Sequence, residues 1–391
     1  MEKWFIRAAV LLLPFVFWLS GEQFREPKAA ALIAMAALFV SITLVEKIHL
    51  ILGFSFFTFV VSALFYAPVT HYGDIAVIFA AAISCLWAIK ETPKTFFKIL
   101  EFVGILCAIH GFIQISGFDV LTGYKEWADI RPLSMFGQHT LYGPFAVACF
   151  SVSLFYRNWF RAIILIIPVI LIQSSFTFLS LGVVLTIWAY ANLNTKWFWG
   201  IVISVSLILA GSIPLWKNSD ILNDKGRFSL WGFSLSLANN RPIFGYGFGS
   251  YKTIFPLFQN KSLREKNGIQ DSLISDRAKS FISETERLGK QEGTFYSAHN
   301  EYLQVYFEMG AVGVLCVLSF IFSFISAFRR VLKTTEAWIC FSIFFLFAAN
   351  SIGNFPMHLV PQSLLPLWAY CFIIKMKGAS HGAKAKSALQ V

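Results

Sequence analysis

The chain has 391 residues, 57% of them hydrophobic and only 14% charged, with a mean hydropathy of +0.65 and a formal net charge of +11. Soluble domains carry roughly 25% charged residues, so this composition excludes a water-soluble globule of such size and points to an all-α integral membrane protein. The basic excess does not call for nucleic acid as a partner, because Lys and Arg cluster in the short loops on one side of the apolar runs, where they set topology.

A helix needs about 20 apolar residues to cross a bilayer. Read from the N-terminus, apolar runs cover roughly 4–20, 28–45, 49–66, 74–89, 95–115, 139–156, 160–174, 176–192, 197–216, 310–328, 336–353 and 359–376, or about twelve spans. The first run resembles a signal peptide in outline. No small-residue cleavage site follows it at Gly21-Glu22-Gln23-Phe24, so it reads as a retained span. The runs at 160–174 and 176–192 are short and suit a tight hairpin through Gln173-Ser174-Ser175.

With a cytoplasmic N-terminus, one set of loops carries Lys47, then Lys90, Lys94 and Lys98, then Arg157 and Arg161, then Lys196, then Arg329, Arg330 and Lys333. The short loops on the other side hold only Arg25, Lys28, Lys125 and Arg131. This positive-inside pattern puts both termini in the cytoplasm. The six cysteines all fall in apolar runs without a CxxC pair and read as small buried hydrophobes, with no metal or disulfide role. Glu101 and His110 fall in the fifth span and His358 in the last outer loop. Glu101 sits near the cytoplasmic end, within reach of Lys98 or Lys94, and the two histidines are supporting candidates behind a site elsewhere.

The polarity is concentrated in one island. It divides the chain into membrane helices over 1–216, a large extracytoplasmic loop over 217–309, and further membrane helices with a cytoplasmic tail over 310–391. The stretch 217–298 holds 12 Lys and Arg against 8 Asp and Glu, a mildly basic mixture. Residues 228–239 read as a short helix stopped by Arg241-Pro242, and Gly245-Tyr246-Gly247-Phe248-Gly249 as a tight turn that reverses the chain toward the membrane. No strand precedes that turn and no Lys follows it, so it is not a nucleotide loop. Residues 260–292 read as a polar helical excursion, and from Ala298 a helix runs on into the tenth span.

Two residues frame the island. Arg227 and Trp231 lie one helical turn apart on one face. An Arg offers a planar fork of donors for phosphate oxygens, although an interfacial Arg beside an anchoring Trp has the same pattern. At the other end His299 begins a helix at the membrane surface, with Asn300 and Glu301 close enough in sequence to orient it. A neutral imidazole accepts a proton from a hydroxyl near pH 7, and a histidine that merely starts a helix would look alike. Arg131, in the outer segment 116–138, becomes interesting only beside Arg227, where the pair would make a cationic pocket for a diphosphate.

Taken together, Gly226-Arg227-x-x-x-Trp231, Arg241-Pro242-Ile243-Phe244-Gly245-Tyr246-Gly247, His299-Asn300-x-x-Leu303 and Glu308-x-Gly310-x-x-Gly313 resemble the signature of the O-antigen ligase and polymerase superfamily. The resemblance covers about 225–315, with looser agreement at Glu22–Lys28 and at Arg131-x-x-x-x-Phe136-Gly137. It implies a GT-C-like glycosyltransferase in the bacterial inner membrane, with its main loop in the periplasm. Such an enzyme moves a glycan from undecaprenyl diphosphate to an acceptor hydroxyl on lipid A core, a growing polymer or a protein. By resemblance Arg227 binds the diphosphate and His299 activates the acceptor. Arg131, Arg241, Trp231, Asn300 and Tyr302 form the surrounding substrate-binding set, and neither a metal nor a cofactor is required. Relatives often carry a Ser-Arg or Thr-Arg pair at the outer end of a middle span. The corresponding stretch here is Ser174-Ser175-Phe176-Thr177, which leaves Arg131 or Arg241 to substitute. A flippase for lipid-linked oligosaccharides would place charges in a central cavity and show repeated halves, and a scaffold protein would have lost the Arg and His; neither description fits.

Overall fold

The structure is a computed structural model that describes residues 7, 11, 81, 84, 85, 88, 89, 91–117, 131–211, 227–259, 297–354 and 360–388. Among these residues all the regular structure is helical. The long elements are α1 (Pro93–Ile115), α2 (His139–Phe155), α3 (Trp159–Leu171), α4 (Ser175–Asn192), α5 (Thr195–Gly211), α6 (Arg227–Ala238), α7 (Tyr251–Gln259), α8 (Glu301–Phe328), α9 (Thr335–Asn350) and α10 (Val360–Ala388). By length and composition α1, α4 and α8 are able to cross a membrane, and α2, α3 and α9 are shorter apolar helices. The protein is therefore a multi-pass helical membrane protein. The first four predicted spans lie almost wholly outside the described residues, as do 212–226, 260–296 and His358.

Local chemistry sets the helix starts. Pro93 occupies the first turn of α1, where its missing N–H costs nothing. The Asn158 and Thr334 side chains cap α3 and α9 by accepting backbone N–H groups. Between helices, small residues allow close contact, as membrane packing requires. A Cβ added to Gly104 would fall 2.5 Å from the Cys149 Cβ, where α1 meets α2. One added to Gly143 would fall 1.9 Å from the Thr177 Oγ1, where α2 meets α4. One large apolar core joins α1, α2, α3, α4, α9, α10 and the distal half of α8. All six cysteines are buried and unbridged.

Two sequence expectations change in detail. The turn at Gln173-Ser174 is tight, with Gln173 in the left-handed region at φ 50°. The helices it joins part company, however: α3 packs on α1 and α2, while α4 crosses to α9 and α2. Glu101 does not pair with Lys94 or Lys98, which are exposed on α1. Its buried carboxylate accepts from the Arg161 guanidinium of α3 and from the Ser153 hydroxyl of α2, each at 2.5 Å. A buried carboxylate needs donors that reach it inside the interface, and here neighbouring helices supply them while Lys98, one turn back on α1, stays exposed.

A second, smaller apolar cluster stands apart from the large core. Leu230, Phe233 and Leu237 of α6 pack with Tyr251, Phe255 and Phe258 of α7 and with Ala298 and Phe307 at the head of α8. The predicted helix 228–239 is α6, and the predicted helix from Ala298 is α8, which begins at Glu301 behind an Asn300 cap. The described parts of the polar island thus form a small helical body seated on the head of α8.

Candidate functional site

The site is built around a break in α8. At Gly310 the backbone turns to φ 62° and ψ −156°, a conformation essentially restricted to glycine. An unbroken helix would pair the Ala311 N–H with the Phe307 carbonyl and the Val312 N–H with that of Glu308. Here the Gly-rich turn supplies the partners. Phe307 and Glu308 carbonyls accept the N–H groups of Tyr246 and Gly247 at 3.0 and 2.7 Å, while Ala311 and Val312 donate to the carbonyls of Pro242 and Ile243 at 2.7 and 3.2 Å. The approach is so close that a Cβ on Gly310 would lie 2.4 Å from the Ile243 carbonyl carbon. One on Gly245 would lie 2.4 Å from that of Glu308. The predicted turn is present, and it supplies the hydrogen-bond partners that the broken helix lacks.

Glu308 extends the clamp. Its buried carboxylate accepts the Gly249 N–H at 2.8 Å and the Tyr251 N–H, at the start of α7, at 3.3 Å. The Tyr251 phenol is wholly buried, which raises its pKa, and it shares a hydrogen with the Ser234 hydroxyl of α6 at 2.7 Å. Arg241 caps the assembly from outside, exposed, with its guanidinium 5.0 Å from the centre of the Tyr246 ring.

The two ends of the island meet through Trp231. Its indole N–H donates to the Ala298 carbonyl at 2.9 Å, so the first turns of α6 lie against the residue preceding His299. Arg227 is the first residue of α6, one turn before Trp231. His299 has φ 50°, in the left-handed region, and leads directly into the Asn300 cap. The Asn300 Oδ1 accepts the Leu303 N–H at 3.0 Å. An open groove of about 490 Å³ runs between α6 and α8, lined by Phe228, Trp231 and Leu235 on one side and Asn300, Tyr302 and Tyr306 on the other.

The head of α8 is tied to the end of α9. The Glu301 N–H donates to the Ser351 carbonyl at 2.9 Å and the Tyr302 hydroxyl to that of Ala348 at 2.7 Å. Just beyond, the Asn354 side chain donates to the Thr140 carbonyl at 2.9 Å, in the first turn of α2. Arg131 precedes that turn, close enough for its charge to bear on His139. Its loop is pinned by Gln114 of α1, which accepts the N–H groups of Leu133 and Ser134 and donates to the Ser134 carbonyl.

Of the predicted site residues, Trp231, Asn300 and Tyr302 line one groove, with His299 and the start of α6 beside it. Arg131 is on the same end of the helix layer, linked to the head of α8 through the 351–354 turn. Arg241 lies past the far end of α6, and the twelve residues of that helix put roughly 16 Å between its ends. Among the described residues no group of three or more His, Cys, Asp or Glu could hold a metal ion. Gln114 and Gln304 escaped sequence reasoning, and Glu308 entered it only as a letter of the resembling motif, because the partners of all three include backbone groups outside their own helices.

Trp231→Phe tests the junction with little change of shape. It keeps a ring in the groove but strips the buried Ala298 carbonyl of its donor, a loss of about 1–3 kcal/mol. We expect reduced thermal stability of the purified protein and faster backbone amide exchange over 297–299. A variant that matched the parent in both would show that the indole hydrogen bond does not hold the two ends together.

Residues 145–318 match the model of a protein family described as O-antigen ligase. The matched segment runs from Phe145 in α2 into α8 and contains Arg227, Trp231, Arg241, the Gly-rich turn, His299 and Gly310; Arg131 falls before it. No curated protein matches the chain.

Proposed function

We propose that this chain, whose residues 145–318 match the O-antigen ligase family, transfers a glycan from undecaprenyl diphosphate to an acceptor hydroxyl at the periplasmic face of the bacterial inner membrane. The observation that carries this reading is the Trp231–Ala298 hydrogen bond, which brings the helix begun by Arg227 against the residue before His299. A base and a phosphate-binding cation belong together in such a transfer. His299 accepts the proton of the acceptor hydroxyl, and the oxygen attacks the anomeric carbon. The bond from that carbon to the diphosphate oxygen breaks, and the leaving diphosphate departs with the electron pair. Arg227, with Arg131 as second cation, stabilises the developing negative charge.

The positive-inside pattern supports the orientation, with the groove and His299 outside and both termini in the cytoplasm. Lipid A core is the acceptor that fits the ligase description; a growing polysaccharide or a protein side chain would use the same displacement.

The test is transfer by the purified protein in liposomes, from undecaprenyl-diphosphate-linked glycan to lipid A core, with and without EDTA. We expect glycosylated acceptor and free undecaprenyl diphosphate in equal amounts, at a rate unaffected by the chelator. Absence of any donor turnover would overturn the reading. Loss of the reaction in EDTA, restored by a divalent cation, would remove the arginines as sole stabilisers of the leaving group.

A further inference from the structure

The proposed chemistry needs His299 to stay beside the start of α6, yet His299 sits in a backbone conformation that a non-glycine residue seldom adopts unaided. Something must hold the peptide before it. The Ala298 carbonyl is held by Trp231, and the Ala298 N–H donates to the Gln304 Oε1 at 3.3 Å. The Nε2 of the same amide donates to the Glu308 Oε1 at 3.0 Å. Glu308 in turn receives Gly249 and Tyr251 from the Gly-rich turn. Gln304 and Glu308 are only 6% and 5% exposed. Among neutral side chains of this length, only an amide accepts from a peptide N–H and donates to a carboxylate at once. A pair at i and i+4 on one helix would form for helix stability alone; the contact with Ala298, outside the helix, has no such explanation.

We propose that Gln304 and Glu308 are positioning residues for the transfer. The carboxylate fixes the amide, the amide fixes the Ala298 peptide, and that peptide presents His299 to the start of α6. The inference rests on the reading of His299 as the base, and it assigns a mechanical role in the reaction to the Gly-rich turn that Glu308 holds.

The test compares the full-length protein with Gln304→Leu and with the exchanged pair Gln304→Glu/Glu308→Gln. In Gln304→Leu the Ala298 N–H loses its acceptor. Backbone amide exchange over 297–299 should rise, and kcat should fall by about 100-fold, the scale of a misplacement near 1 Å, with KM for the donor unchanged. In the exchanged pair, the carboxylate now at 304 accepts from both Ala298 and the amide at 308, whose oxygen still receives Gly249, while the Tyr251 N–H loses its acceptor. Exchange protection over 297–299 and most of kcat should return, with the loss of protection confined to Tyr251. Unchanged exchange and kcat in Gln304→Leu would overturn the proposal. Where Gln304→Leu fails to reach the membrane folded, the exchanged pair decides: a folded pair that recovers neither protection nor turnover overturns it. A wild-type protein without transfer activity would count against the function and leave amide exchange to decide the hydrogen-bonded relay.

Discussion

His299→Asn should abolish measurable glycan transfer, with a loss of about 10²- to 10⁴-fold, the usual contribution of a general base. Asn is the better replacement because the position has φ 50°, and Asn tolerates the left-handed region better than most residues. His299→Ala removes the imidazole as well but adds backbone strain on the order of 1 kcal/mol. His299 is half-buried, so both variants should insert, with His299→Asn melting closer to the parent than His299→Ala. Arg227→Ala should give a loss of similar scale. Arg227→Lys should recover only part of it, because an ammonium lacks the planar fork that matches a phosphate. Transfer is read in the liposome assay, beside the melting temperature and membrane level of each variant. Robust transfer by a well-folded His299→Asn would remove that residue from the chemistry.

Gly310→Ala should be among the most damaging substitutions in the chain, through structure and not chemistry. Its φ and ψ belong to the region that only glycine populates freely, which costs about 1–3 kcal/mol for any other residue. The added methyl also drives into the Ile243 carbonyl, a clash with backbone that no rotamer relieves, at roughly 1–3 kcal/mol more. Against a total stability of about 5–15 kcal/mol, that loss should lower the melting temperature sharply and reduce the amount of protein in the membrane. Gly245→Ala presses on the Glu308 carbonyl from the other side of the same contact. Once one substitution has opened the contact the second has less to break, so the two should not add. Gly200→Ala is the control: it lies in α5, a Cβ there meets nothing within 4 Å, and a helical Gly→Ala change should stabilise by up to about 1 kcal/mol. Equal melting of Gly310→Ala and Gly200→Ala would show that the break in α8 is not a fixed feature.

The parts legible in the sequence are those governed by neighbours in the chain. The apolar runs gave the helices, Arg241-Pro242 stopped α6 close to where the chain stops it, and Asn300 stands as the cap its residue type favours. A shared site for Arg227 and His299 is what the resemblance implies, but the Trp231 indole on the Ala298 carbonyl, which ties α6 to the residue before His299, was not legible. The Gly-rich turn was read as a turn alone, because its partner is the backbone of α8, and backbone carries no letter in a sequence. Gly310 gave the only available hint, a glycine where an apolar helix should run unbroken. Glu101 was misassigned for a related reason. Its nearest cations in sequence lie on its own helix, whereas packing offers it an arginine from α3.

The small apolar cluster at the head of α8 has a consequence for how such an enzyme diversifies. The chain leaves that cluster after Phe258 and rejoins it at Ala298, so residues 260–296 begin and end on one fixed platform. The entropic cost of lengthening a segment between fixed ends grows slowly, by about 0.6 kcal/mol for each doubling. A change in the length of chain between Phe258 and Ala298 therefore costs the cluster little, and the histidine and the start of α6 keep their own supports whatever that length.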